Sequence, residues 1–160
     1  PTSDLRYKVI QEIKAWTVQQ SRALYGIENW GAGYFNIDER GHVVVSPDGP
    51  DGPSASLHDL VQAVRQRNIA LPVLFRFNGI LRHRIRSIYE AFETAISEYE
   101  YQGKYLPAYP IKVNQQRHVV DVISSAGQEF TMGLEVGSKP ELIAVLGIQE
   151  GHESLLLCNG

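Results

Sequence analysis

The spacing of apolar positions changes along the chain, and the changes mark its elements. Near the start, Val9, Ile13 and Trp16 recur at helical spacing, and Gly26 supplies a later stop. Two strand-like runs, 33–37 and 42–45, then flank Asp38-Glu39-Arg40-Gly41, which predicts a β-hairpin. Residues 46–53 form a loop by composition; their prolines remove amides that a phosphate cradle needs, so a surface connection is the reading. From Ser56 a helix carries Leu57, Leu60, Val61 and Val64 on one face. A strand over 71–77 and a longer helix with Ile85, Ile88, Tyr89, Phe92 and Ile96 follow, and both helical stripes read as core. Beyond them, strands over 108–113, 131–136 and 154–158 alternate with helices over 116–125 and 138–146.

Such alternation implies a parallel sheet with right-handed crossovers, so the strands near Ile111, Leu134 and Leu156 are expected to lie side by side in that order. The expected class is α/β: part of a (β/α)8 TIM-type barrel with parallel strands, preceded by a helix and a β-hairpin. Three or four strands make at most half of an eight-stranded barrel. Pro1 is not an initiator methionine, and Gly160 directly follows a strand-like run. The expectation is therefore a piece of a longer enzyme, inactive by itself because part of a barrel cannot preorganise a complete site.

Composition removes several function classes. With 43% hydrophobic and 21% charged residues in 160, the chain reads as an ordinary soluble globular domain. A net charge of -3 gives no footprint for nucleic acid or an anionic membrane. The one basic cluster, Arg82-His83-Arg84-Ile85-Arg86, falls in a helical pattern and reads as its solvated face. No apolar run approaches the roughly 20 residues needed to span a bilayer, and no signal-peptide layout opens the chain. The single cysteine, Cys158, reads as a small buried hydrophobe and suits a reducing cytoplasm. The five histidines show no ligand spacing, so no metal site is readable. No serine motif of a hydrolase and no dinucleotide glycine fingerprint is present.

One residue interrupts this plain picture. Lys112 lies in the otherwise apolar run Leu106-Pro107-Ala108-Tyr109-Pro110-Ile111-Lys112-Val113-Asn114. Desolvation disfavours an ammonium and would make the amine a nucleophile toward an aldehyde. From this run alone, a strand-end cation snorkelling to solvent is the favoured reading. Glu135 sits between apolar neighbours at a strand end, where a carboxylate needs a partner to offset its desolvation. Glu141 falls in Ser138-Lys139-Pro140-Glu141, which fits a capping box, so a helix cap is its favoured reading.

Longer motifs tip the balance. Tyr109 through Gln116, Gly133-Leu134-Glu135-Val136-Gly137-Ser138-Lys139-Pro140-Glu141-Leu142 and Leu156-Leu157-Cys158-Asn159-Gly160 together closely resemble the biosynthetic arginine decarboxylase family. Upstream, Tyr25-Gly26-Ile27-Glu28-Asn29-Trp30-Gly31-Ala32-Gly33-Tyr34-Phe35 and Leu71-Pro72-Val73-Leu74-Phe75-Arg76-Phe77 fit the same family in the same order. The resemblance implies a pyridoxal-phosphate enzyme on an alanine-racemase-like barrel, with Lys112 as the cofactor-bearing and catalytic lysine. It places Glu135 and Glu141 among the residues near the cofactor. It implies a small-molecule substrate, arginine, converted to agmatine on the way to polyamines, a cytoplasmic homo-oligomer, and magnesium by family likeness alone. Residues 1–79 would hold the helical lead-in, the hairpin and a strand of a separate β domain, and residues 80–160 the first part of the barrel. Ornithine, lysine or diaminopimelate as substrate, a non-catalytic cofactor-binding homologue, and a plain α/β module stand as alternatives. In a parallel barrel ligands bind beyond the carboxyl ends of the strands, the edge on which Lys112 and Glu135 both fall.

Overall fold

The computed structural model describes residues 15–148 and 154–160, so Val9 and Ile13 of the expected lead-in helix lie outside the described residues. The chain divides into two compact units. One holds the described residues up to Ser46 together with Pro53–Pro72; the other holds Pro47–Gly52 and Val73–Gly160.

In the first unit, helix α1 (Val18–Leu24) begins at Thr17, whose hydroxyl accepts from the Gln20 amide while the Gln20 side chain accepts from the Thr17 amide. Each side chain thereby satisfies a backbone donor that the first helical turn leaves open. Gly26 adopts a left-handed conformation at φ +58° and turns the chain into α2 (Ile27–Gly31). The expected hairpin is present: β1 (Phe35–Ile37) pairs antiparallel with β2 (Val43–Val45), with Phe35 opposite Val45 and Ile37 opposite Val43. Asp38 closes its turn, one carboxylate oxygen accepting from the backbone amides of Arg40 and His42 at 3.0 and 2.8 Å. A third strand, β3 (Ala55–Ser56), adds to β2. Two residues are too few to carry a periodic signal. In α3 (Leu57–Gln66), capped by the Ser56 hydroxyl, the four positions Leu57, Leu60, Val61 and Val64 are the ones shielded from solvent, so the predicted stripe is the protected face.

The strand expected over 71–77 does not form. Val73, Phe75 and Phe77 are half-buried while Leu74 and Arg76 are exposed, so the two-residue period is present. The segment joins no ladder, and Pro72 has no amide to donate to one.

The second unit begins with α4 (Asn78–Glu98) and then alternates: β4 (Ala108–Pro110), α5 (Arg117–Gly127), β5 (Gly133–Val136), α6 (Lys139–Ile148) and β6 (Leu156–Cys158). All three strands are parallel in the order β4-β5-β6, as the alternation predicted. Because side chains alternate across a strand, Leu134 and Val136 of the central β5 share one face. There they pack with Ile111, with Val120 of α5 and with Val145 of α6, the buried core of this unit. Gly133 and Glu135 take the opposite face. A Cβ on Gly133 would lie 2.6 Å from Cβ of Leu155 on the neighbouring chain segment, so only glycine fits between the strands at this height.

Two expectations about burial are overturned. The α4 stripe is not core: none of its residues is buried, and Ile88 and Phe92 are exposed. Its contact is with α5, together with aromatic pairs in which Tyr89 meets Phe130 and Phe92 stacks on Tyr105 at 3.9 Å. Cys158 is exposed rather than buried, because it ends β6 at the margin of the sheet, where no further strand among the described residues covers it.

Candidate active site

Strand β4 stops at Pro110, and the chain tightens into a single 3-10 turn, Ile111–Val113. Ile111 is drawn into the core while Lys112 stands at the carboxyl edge of the sheet. The reading of 108–113 as one continuous strand is therefore corrected: the ladder ends two residues before the lysine. A strap of side chains fixes the turn. The Tyr109 hydroxyl donates to the Asn114 carbonyl at 3.3 Å, the Asn114 side chain accepts from the Gln116 amide at 3.1 Å, and the Gln116 side chain accepts from Arg76 at 2.5 Å. Burial pushes the Tyr109 phenol above its ordinary range, opposed by its bond to the Asn114 carbonyl, so it stays a neutral donor at physiological pH.

Glu135 projects from the face of β5 opposite the core, yet it is the charged residue that the described part of the chain buries. Lys112 Nζ lies 3.6 Å from its Oε1, with the lysine side chain 58% exposed and the glutamate 11%. The exposure corrects the idea of a desolvated lysine; the turn after Pro110 delivers the amine to the open edge. Asn159 reaches the same oxygen from the other side, its Nδ2 donating to Glu135 Oε1 at 3.4 Å. Its own backbone amide is held by the Val136 carbonyl at 2.8 Å, which extends the β5–β6 ladder by one residue.

Glu141 is placed as a helix-start residue. Its amide donates to the Ser138 hydroxyl at 3.4 Å, as in a capping box, but its carboxylate accepts from the Gly137 amide at 2.7 Å instead of the Ser138 amide. The structure brings Lys112 and Glu135 together and leaves Glu141 on the same edge, bonded to its own helix start. A depression of about 360 Å3 opens beyond β5 and β6, lined by Gly137, Ser138, Lys139, Leu142, Cys158 and Asn159.

Asn159 and the Tyr109–Asn114 strap were not singled out from sequence. The alternation of a parallel strand holds the signal for Asn159: it lies two residues after Leu157, which pairs with Glu135, and so returns to the same face. The strap depends on where β4 stops, which periodicity does not fix.

A primary amine at a strand end, paired with a carboxylate from the next strand, is a donor set that fits an aldehyde cofactor held through nitrogen. Among the described residues no three His, Cys, Asp or Glu side chains gather where a metal ion could be held, and no helix is long and apolar enough to cross a membrane.

Residues 85–160 match the pyridoxal binding domain of the pyridoxal-dependent decarboxylases. Along nearly its whole length the chain is similar to biosynthetic arginine decarboxylases. It is 45% identical over 151 residues to that of Parasynechococcus marenigrum (strain WH8102), covering 94% of this chain and 23% of the relative. It is 49% identical over 145 residues to that of Thermosynechococcus vestitus, covering 91% and 23%. The crystal structure of the biosynthetic arginine decarboxylase from Campylobacter jejuni superposes with a TM-score of 0.72 at 31% identity, covering 85% of this chain and 22% of that one. The chain thus spans about a quarter of the length of the relatives it matches, and the resemblance drawn from its motifs is borne out.

Proposed function

We propose that this chain supplies the lysine-bearing part of a pyridoxal-phosphate enzyme that decarboxylates L-arginine to agmatine. The observation that carries the reading is the pairing of Lys112 Nζ with Glu135 Oε1 at the carboxyl edge of the parallel sheet. The names of the relatives, all biosynthetic arginine decarboxylases, support arginine over ornithine, lysine or diaminopimelate. In this reading residues 80–160 are the first part of a (β/α)8 barrel, whose remaining strands would continue the open sheet beyond β6, and residues 1–79 precede it. The enzyme would act in the cytoplasm as a homo-oligomer.

Pyridoxal phosphate, when bound, supplies the electron sink that takes up the electron pair of the breaking bond to the carboxylate as carbon dioxide leaves. Everything else belongs to the protein. Lys112 anchors the cofactor through Nζ and, when free, carries a proton there for return to the product. Glu135 pairs with Nζ in its charged form, and its Oε1 is an acceptor at 3.6 Å when the amine must become neutral. An isolated, half-exposed ion pair of this kind contributes only about 0–1 kcal/mol to stability, so its presence calls for a chemical reason. Glu141 enters through its place on the same edge, with its carboxylate steadied by the Gly137 amide.

The test is borohydride reduction of the full-length polypeptide loaded with pyridoxal phosphate, followed by peptide mapping. The pyridoxyl label is expected on Lys112, with Lys112→Ala and Lys112→Arg both unlabelled there and without agmatine release, since a guanidinium stays protonated. A label on Lys104 or Lys139 in place of Lys112 would overturn the assignment. Carbon dioxide released from ornithine or diaminopimelate but not from arginine would keep the cofactor reading and change the substrate.

A further inference from the structure

We infer that Asn159 is a positioning residue that sets the Glu135 carboxylate against Lys112. The inference rests on the reading of Lys112 as the cofactor-bearing amine and adds a residue to it. Oε1 of Glu135 is approached from both flanking segments: by Lys112 Nζ at 3.6 Å from the turn after β4, and by Asn159 Nδ2 at 3.4 Å from the residue after β6. Register accounts for the arrangement. Glu135 stands between Pro110 and Leu157 in the ladder, and Asn159, two residues beyond Leu157, returns to the face that Glu135 occupies.

A glutamate has three side-chain torsions, and the distance to Lys112 leaves slack, so the ion pair by itself does not select one rotamer. Asn159 removes that freedom. Its backbone is tied to Val136, the residue next to Glu135, so the carboxamide and the carboxylate it meets ride on one rigid ladder. A carboxamide suits the task because it donates to the carboxylate without charge. An aspartate there would repel Glu135 and offer Lys112 a competing acceptor; a lysine or arginine would compete with Lys112 for Oε1. Asn159 also lines the depression beyond β5 and β6.

The experiment measures how fast Lys112 becomes labelled by pyridoxal phosphate and borohydride in the full-length polypeptide, read by peptide mapping, with Lys104 and Lys139 as internal references. Asn159→Ala is expected to slow labelling of Lys112 by about threefold to tenfold, less than the roughly 10²–10⁴-fold that a positioned proton acceptor contributes as a whole because the carboxylate is loosened and not removed, and to leave the two reference lysines unchanged. Glu135→Gln should slow it at least as much, and adding Asn159→Ala to Glu135→Gln should slow it no further, because one residue acts through the other. Asn159→Asp should also be slow, which a side chain that only fills space would not produce. An Asn159→Ala effect that persists in full in the Glu135→Gln background, or labelling as fast as in the unsubstituted protein, overturns the inference while leaving Lys112 as the anchor. Absence of label on Lys112 in the unsubstituted protein overturns the functional reading itself.

Discussion

Lys112 and Glu135 meet through one oxygen, the lysine side chain 58% exposed and the glutamate 11%, with 3.6 Å between Nζ and Oε1. The two ends of the pair live in different solvents. Water already satisfies the ammonium, so the carboxylate bears most of the cost of the arrangement, and it offsets that cost with one distant cation and one long hydrogen bond. Replacing a buried ionic group by an apolar one of similar size is often neutral or stabilising. Glu135→Leu should therefore shift the unfolding free energy by no more than about 1 kcal/mol, in either direction, while slowing the labelling of Lys112. Denaturant titration checks the first half. A loss of several kcal/mol would mean that Glu135 holds the sheet together, and the case for a chemical role would weaken.

The sheet itself depends on a missing side chain. Gly133 begins β5, and a Cβ there would meet Leu155, 2.6 Å away at Cβ and in conflict with its carbonyl as well. Backbone cannot step aside as the end of a flexible side chain can. Gly133→Ala should cost about 1–3 kcal/mol, the usual range for overpacking a close-packed interior. Leu134→Ala, which empties a fully buried position beside it, should cost about 2–5 kcal/mol. Equal midpoints for the glycine variant and the parent protein would show that β6 moves away freely.

What the sequence made legible follows from period and length. The order β4-β5-β6, the helices between them and the face of α3 rest on repeats long enough to count, and each is present. The segment over 71–77 shows where that logic stops, since alternation reports a two-sided environment and says nothing of a hydrogen-bonded neighbour. Exposure failed in the same way at α4 and at Cys158: an apolar stripe states what a helix can bury, and the surrounding elements decide whether it does. At the site, the places of Lys112 and Glu135 near the carboxyl edge were readable from the motif, although the residue at which β4 stops was not. Their meeting through one oxygen and the part of Asn159 required the register between strands, which no single segment encodes.

Acid should act first on the hairpin. The amide of His42, and behind it the Arg40 guanidinium, hold the Asp38 carboxyl below its ordinary value of 3.8, partly opposed by burial. A carboxyl whose folded value is depressed adds stability that is present above the unfolded value and is lost as pH falls through the folded one. Protection of the β1 and β2 amides against hydrogen exchange should therefore decline as pH is lowered below about 4, and Asp38→Asn should flatten that decline while keeping an oxygen that accepts from His42. A decline of the same steepness in the variant would assign it to another group.

The strap behind Lys112 offers a cleaner separation of packing from positioning. Tyr109 packs its ring against the core while its hydroxyl donates to the Asn114 carbonyl at 3.3 Å, closing the chain around the turn that carries Lys112. Tyr109→Phe keeps the ring and deletes the bond. The cost to stability should be about 0.5–1.5 kcal/mol, that of one ordinary hydrogen bond. The effect on the amine should be larger in proportion, because the released turn lets Nζ leave the oxygen it meets at 3.6 Å. Labelling of Lys112 by pyridoxal phosphate and borohydride should slow by a few-fold, about what a loosened contact without a lost group produces, with Lys104 and Lys139 unaffected. The substitution should also remove the alkaline loss of stability tied to this phenol, whose folded value is raised: that contribution is present below the unfolded value near 10 and is lost as pH rises through the folded one. Unchanged labelling together with the expected small loss of stability would reduce the strap to a structural bond and would leave Glu135 and Asn159 as the groups that place the lysine.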